Sequence, residues 1–144
     1  MPSTAPEAPP LRVVAGLIPS RSGNRILIAR RPAGSHQGGL WEFPGGKIAA
    51  GETPAAALAR ELAEELAIAV ERSEPFLVVD HRYPDRRVEL AVWRVLAFSG
   101  VATGNEGQEI AWVPLRDLAR LPFPAANRPV IAALCGTGPG LIPG

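Results

Sequence analysis

The sequence predicts an α/β (α+β) domain in which a mixed β-sheet is sandwiched between α-helices. Three observations carry that expectation. Short apolar runs rich in Val, Leu and Ile recur along the 144 residues with turn chemistry between them. Leu58, Leu62 and Leu66 recur every four residues, the spacing of a helix with one buried stripe. A second helical stretch closes the chain, so strands lie before the first helix and between the two.

Residues 1–10 hold four prolines and read as a flexible leader, with neither the basic start nor the apolar stretch of a secretion signal. Residues 12–18 and 25–29 are apolar runs around Ser20-Arg21-Ser22-Gly23-Asn24 and read as a β-hairpin. A Gly-rich polar loop over 30–40 leads to a short strand at 41–43, which Pro44-Gly45-Gly46 breaks into a further loop. Thr53 is placed to cap the first helix, with Pro54 in its first position. Residues 74–83 and 87–98 form a second hairpin about Pro84-Asp85-Arg86. A polar loop over 99–108, a short strand at 110–113 and a Pro-punctuated stretch precede a helix from about residue 125 to 134, which Gly136 ends. The reading is one domain over 11–135 with a Gly/Pro tail over 136–144.

Composition narrows the function classes. An apolar content of 47% without a run near the ~18 residues of a membrane helix argues for a cytoplasmic protein that does not span a bilayer. A formal net charge of +1 gives no broad basic field for a nucleic acid polymer, although a small anion can still be bound locally. Cys135 is the only cysteine, which excludes an intrachain disulfide and a cysteine-based metal cage.

The informative segment runs from Gly46 through Glu52, skips seven residues, and continues as Arg60-Glu61-Leu62-Ala63-Glu64-Glu65-Leu66-Ala67-Ile68. At ~100° per residue, Glu64 and Glu65 lie about 60° and about 40° to either side of Glu61, so three carboxylates share one helical flank. Such a flank is costly unless a cation occupies it, and crowded hard oxygens suit Mg²⁺, with Mn²⁺ as a substitute. The bland alternative is a solvated acidic helix face. A P-loop is excluded by Ile48 after Gly46-Lys47, and His36 and His81 have no metal-ligand spacing.

This pattern resembles the signature box of the Nudix hydrolase family, with one departure: Ala67 stands where the family uses Gly. Six fixed positions match by chance with a probability on the order of 10⁻⁷ per register, which favours the resemblance over the bland reading. The resemblance implies a Nudix fold and a divalent-metal-dependent hydrolase that cuts a phosphoanhydride bond. It also implies Glu61, Glu64 and Glu65 as metal ligands, joined by the Gly45 carbonyl. Arg60 orients the neighbouring Glu in such enzymes, and its plain alternative is an exposed i, i+4 pair with Glu64. Glu52 is expected to approach the cluster from the loop.

Outside the box, Ile28-Ala29-Arg30-Arg31, the Trp41 to Ile48 run, Tyr83-Pro84-Asp85-Arg86, Glu106-Gly107-Gln108 and Phe123 to Ile131 resemble the MutT branch of that family. Members of that branch hydrolyse 8-oxo-dGTP to 8-oxo-dGMP and pyrophosphate by attack of water at the β-phosphorus. By that resemblance Arg31 and Lys47 contact phosphates, and Glu106 is a further metal ligand or the base. Asn127 would read the base, helped by His36, Phe43, Asp85 and Arg86. Each has an ordinary alternative: solvated loop residues at Arg31, His36, Lys47 and Glu106, core packing at Phe43, a hairpin turn at Asp85 and Arg86, and a helix cap at Asn127. The implied partner is a nucleotide bound by a monomer. Another nucleotide, such as a modified cytidine triphosphate, or a non-catalytic binding module of the same fold are the competing readings.

Overall fold

The computed structural model describes residues 8–31 and 38–136. Its strands divide between two sheets. β1 (Leu11–Leu17), β4 (Gly45–Lys47), β5 (Ala69–Tyr83) and β6 (Arg86–Ser99) form the first, in the order β4-β1-β6-β5. β2 (Arg25–Arg30), β3 (Trp41–Glu42) and β7 (Glu109–Pro114) form the second, in the order β3-β2-β7. β1 runs parallel to β6 and antiparallel to β4, so the larger sheet is mixed, as expected.

The apolar runs are continuous because these strands are buried on both faces. On one face Val14, Ile18, Leu27, Ala91 and Val95 pack with Ala57, Leu58, Leu62 and Leu66 of α1 (Pro54–Leu66). On the other, Ala15, Leu17, Ile26, Ile28, Leu90 and Val92 meet Leu118, Phe123, Val130 and Ile131 from the C-terminal segment. That segment comprises a 3₁₀ stretch, Leu115–Arg120, a 3₁₀ turn, Ala125–Asn127, and α2 (Arg128–Leu134).

Three expectations need correction. β1 and β2 are not a hairpin: they meet at one bridge, Pro19↔Ile26, and then enter different sheets. Both edges of β1 are already taken by β4 and β6, and Pro19 has no N–H with which to extend a ladder. The segment after Pro44 is not simply loop, since Gly45, Gly46 and Lys47 pair with Ala15, Val14 and Val13. A side chain at Gly45 would run into the Val14 carbonyl oxygen, so the absent Cβ that makes this stretch look like a breaker is what lets the strand approach. β5 also begins earlier than expected, at Ala69, because register shifts between Val70 and Leu77 scramble its alternation.

The leader and tail lie largely outside the described residues. Among the described residues no helix is long and apolar enough to cross a membrane.

Candidate active site

α1 supplies the acidic flank, and both of its ends are fixed, the first locally and the second by a distant loop. Thr53 Oγ1 accepts from the Ala56 N–H at 3.1 Å, with Pro54 following it. At the other end the loop over 103–108 satisfies the terminal carbonyls. The Thr103 N–H donates to Leu66 O, the Asn105 N–H to Glu65 O, and Asn105 Nδ2 to Glu64 O. Gln108 completes the link, with Nε2 donating to Glu65 O at 2.9 Å while its Oε1 accepts from the Glu106 N–H at 2.9 Å. A loop distant in sequence therefore holds Glu106 beside the acidic helix.

Glu65 is the electrostatic centre. Burial pushes its carboxyl up to about 8, reinforced by the negative fields of Glu61, Glu42 and Glu106 and opposed by the Gly45 N–H, which donates to Glu65 Oε2 at 3.1 Å. Glu61 lies over Gly46 so closely that a methyl there would collide with its carboxylate. Arg60 holds that carboxylate from the side, donating from Nη1 to Glu61 Oε1 at 2.8 Å. The same guanidinium grips Glu52 with Nε–Oε2 of 2.8 Å and Nη2–Oε1 of 2.9 Å and reaches the Lys47 carbonyl at 3.1 Å. This fork, together with the Ala49 N–H, draws the Glu52 carboxyl down to about 2. Glu52 thus anchors Arg60, and Arg60 sets Glu61. The simple pair with Glu64 also exists, but at 3.8 Å it is the longest of Arg60's carboxylate contacts.

Glu65 lines a cavity of about 850 Å³ with Arg31, Glu42, Phe43, Gly45, Gly46, Lys47, Tyr83, Asp85, Arg86 and Asn127. Seven residues anticipated from the sequence as contacts for phosphate, base or metal are therefore brought together with Glu65: Arg31, Phe43, Gly45, Lys47, Asp85, Arg86 and Asn127. Glu61, Glu64 and Glu106 are not in its walls, and the Glu64 side chain is 55% exposed. His36 lies outside the described residues. Phe43 is both core and cavity wall, its ring 5.3 Å from that of Phe123. Asn127 stands at the start of α2, yet its side chain makes no capping hydrogen bond and is buried in the cavity wall.

Two cavity residues carry weight that the sequence reading did not assign. Glu42 pairs with Arg31 at 3.2 Å, and burial raises its carboxyl although Arg31 pulls the other way. Its position one residue before Phe43, on a strand pairing with β2, was the available signal. The Tyr83 hydroxyl accepts from the Ala126 N–H at 3.1 Å, next to Asn127.

The donor set fits a hard divalent ion. Burial and the charges of Glu61, Glu42 and Glu106 all disfavour a charged Glu65, and a positive ion would offset them. Among the described residues no three such side chains already surround one point: Glu61 is paired with Arg60, and the Glu64 side chain is more than half exposed.

Residues 14–133 match the NUDIX domain family. The 8-oxo-dGTP diphosphatase of Escherichia coli is 42% identical over 124 residues, covering 86% of this chain and 95% of that protein. The CTP pyrophosphohydrolase of the same organism is 37% identical over 123 residues, covering 85% and 90%. A structure from work on MutT of Aliivibrio salmonicida and Vibrio cholerae superposes with a TM-score of 0.80 at 38% identity, covering 90% of this chain and all of that one. With residues 14–133 matched by that family and a relative 42% identical over 86% of its length, this chain belongs to the NUDIX hydrolase family.

Proposed function

We propose that the chain is a Mg²⁺-dependent nucleoside triphosphate pyrophosphohydrolase that converts 8-oxo-dGTP to 8-oxo-dGMP and pyrophosphate, removing an oxidised base from the cytoplasmic nucleotide pool before it enters DNA. The observation that carries this reading is one cavity that holds both a buried carboxylate beside cationic side chains and a buried amide, Asn127. Its volume of about 850 Å³ falls within the range of small-molecule sites. The 42% identical relative named 8-oxo-dGTP diphosphatase supports the same substrate.

Glu61, Glu64, Glu65 and Glu106, with the Gly45 carbonyl, would hold the metal. When bound, a divalent ion supplies charge that offsets the triphosphate and stabilises the transferring phosphoryl group. Arg31 and Lys47 bind phosphate oxygens, Arg31 leaving Glu42 to do so. Glu52 and Arg60 keep Glu61 directed at the site. Glu106 serves as a further ligand or as the base that takes a proton from the attacking water. Water bonds to the β-phosphorus, the bond from that phosphorus to the α–β bridging oxygen breaks, and the nucleoside monophosphate leaves with the electron pair. Hydrolysis in ¹⁸O water should therefore label pyrophosphate, whereas label in the monophosphate would reject attack at the β-phosphorus.

Oxidation at C8 turns guanine N7 from an acceptor into an N–H donor. An Asn side chain can donate to O6 while accepting from that N7–H, and in a dry site the unpaired groups left with ordinary guanine are costly. Asn127→Ala should lower kcat/KM for 8-oxo-dGTP far more than for dGTP, mainly through KM. The test of the whole reading is a panel of normal and oxidised nucleoside triphosphates assayed with Mg²⁺, with products identified. A best rate on cytidine triphosphates would favour the second reading, which the 37% identical CTP pyrophosphohydrolase supports. Nucleoside diphosphate and phosphate as products would reject pyrophosphohydrolase chemistry, and no turnover of any nucleotide would favour a binding module.

A further inference from the structure

We infer that the Tyr83 hydroxyl is a specificity-positioning group, which sets the Asn127 amide in the cavity by tethering the turn that carries it. This rests on the proposed role of Asn127 in base reading. Asn127 ends a three-residue 3₁₀ turn, Ala125–Asn127, held internally by two backbone bonds, from the Asn127 N–H to Pro124 O at 3.0 Å and from the Arg128 N–H to Ala125 O. Such a short turn does not define its own orientation. Arg128, the next residue, donates to Leu121 O at 3.1 Å and Ala119 O at 3.4 Å, but those carbonyls belong to the same C-terminal segment. The Tyr83 hydroxyl accepts instead from the Ala126 N–H at 3.1 Å and so ties the turn to the end of β5 in the larger sheet. The turn after β5 bears Asp85, and Arg86 opens β6; both line the same cavity as Tyr83, Ala126 and Asn127. His81 packs against the Tyr83 ring in an edge geometry, with centroids 4.5 Å apart and planes at 65°, a contact that helps hold the ring in place.

Phenylalanine would fill the same space and remove the acceptor. The Ala126 N–H, in a residue only 4% exposed, would then lose its partner, and the turn would shift to find another. An amide that must donate to O6 and accept from N7–H at once tolerates little displacement, because hydrogen bonds weaken steeply off their preferred geometry. Guanine offers no N7–H, so it has less to lose.

The experiment compares Tyr83→Phe, Asn127→Ala and the double variant, with kcat/KM for 8-oxo-dGTP and dGTP. Titration of 8-oxo-dGMP and dGMP into metal-free protein is a second readout that does not depend on turnover, and thermal unfolding confirms that each variant folds. Tyr83→Phe should lower the preference for the oxidised nucleotide roughly tenfold, chiefly through KM, and should add no further loss when Asn127 is already Ala. An unchanged preference in Tyr83→Phe, while Asn127→Ala abolishes it, would overturn the tether and leave the base reading standing. Additive losses in the double variant would also overturn it, since Tyr83 would then act independently of Asn127. An unchanged preference in Asn127→Ala would remove the base reading itself, and the tether with it.

Discussion

Ala67 is the position at which this chain departs from the family pattern, and it offers a clean test of how the acidic helix ends. Among the described residues it is the one non-glycine residue with positive φ, at 59° with ψ 35°, and its N–H donates to Ala63 O to close α1. A left-handed conformation costs a residue with a Cβ about 1–2 kcal/mol, which glycine avoids. Glycine also loosens the unfolded chain, an opposing effect of about 0.4–1 kcal/mol. The side chain is exposed, so deleting its methyl forfeits little packing. Ala67→Gly should therefore stabilise the protein by about 0.5–1 kcal/mol, raising Tm by about 2–3 °C for a domain of this size. Urea and thermal unfolding of the metal-free protein measure it, with Ala63→Gly as the matched control. Ala63 is also exposed but lies inside α1, where the same change should destabilise by about 1 kcal/mol. If Ala67→Gly were neutral or destabilising while Ala63→Gly behaved as expected, the argument from left-handed strain would be refuted.

Three further outcomes follow from the site. Glu65 is raised to about 8 in the native state against ~4.3 in the unfolded chain, so its contribution to stability is full below about pH 4 and is lost as pH rises through about 8. Glu65→Gln should accordingly match the parent in metal-free unfolding at low pH, exceed it at pH 9, and lose turnover at every pH; equal pH slopes for the two proteins would contradict the shift. A methyl at Gly46 meets only the movable end of Glu61, whereas one at Gly45 meets the Val14 backbone. Gly46→Ala should then keep nearly parental stability and lose most activity, while Gly45→Ala should lose several kcal/mol of stability as overpacked backbone does, a contrast that paired unfolding and kinetic assays would expose. Gln108→Ala removes both of that side chain's links between Glu106 and the helix end; it should cost about 1–3 kcal/mol in denaturant unfolding and weaken Mn²⁺ binding measured by titration calorimetry.

Local chemistry already specified much of this protein. The spacing from Gly46 to Ile68 places three glutamates on one flank of a helix whatever surrounds it, because helical pitch is a property of the backbone. Thr53 and Pro54 start that helix by bonds within one turn, and Pro84 and Asp85 turn β5 into β6 by the same kind of short-range preference. Tertiary structure decided what depends on partners far along the chain. Residues 12–18 and 25–29 look like a hairpin to any local rule, yet β4 and β6 occupy both edges of β1 and send β2 to another sheet. Gly45 and Gly46 look like a breaker until the Val14 backbone and the Glu61 carboxylate are brought against them. Of the three glutamates, the fold turned Glu65 inward and left Glu64 largely in solvent, then added Glu42 from a different strand. Asn127, which sequence alone can also read as a helix cap, was drawn into the cavity wall beside Tyr83, because burial and hydrogen bonding there are set by contacts between segments more than forty residues apart.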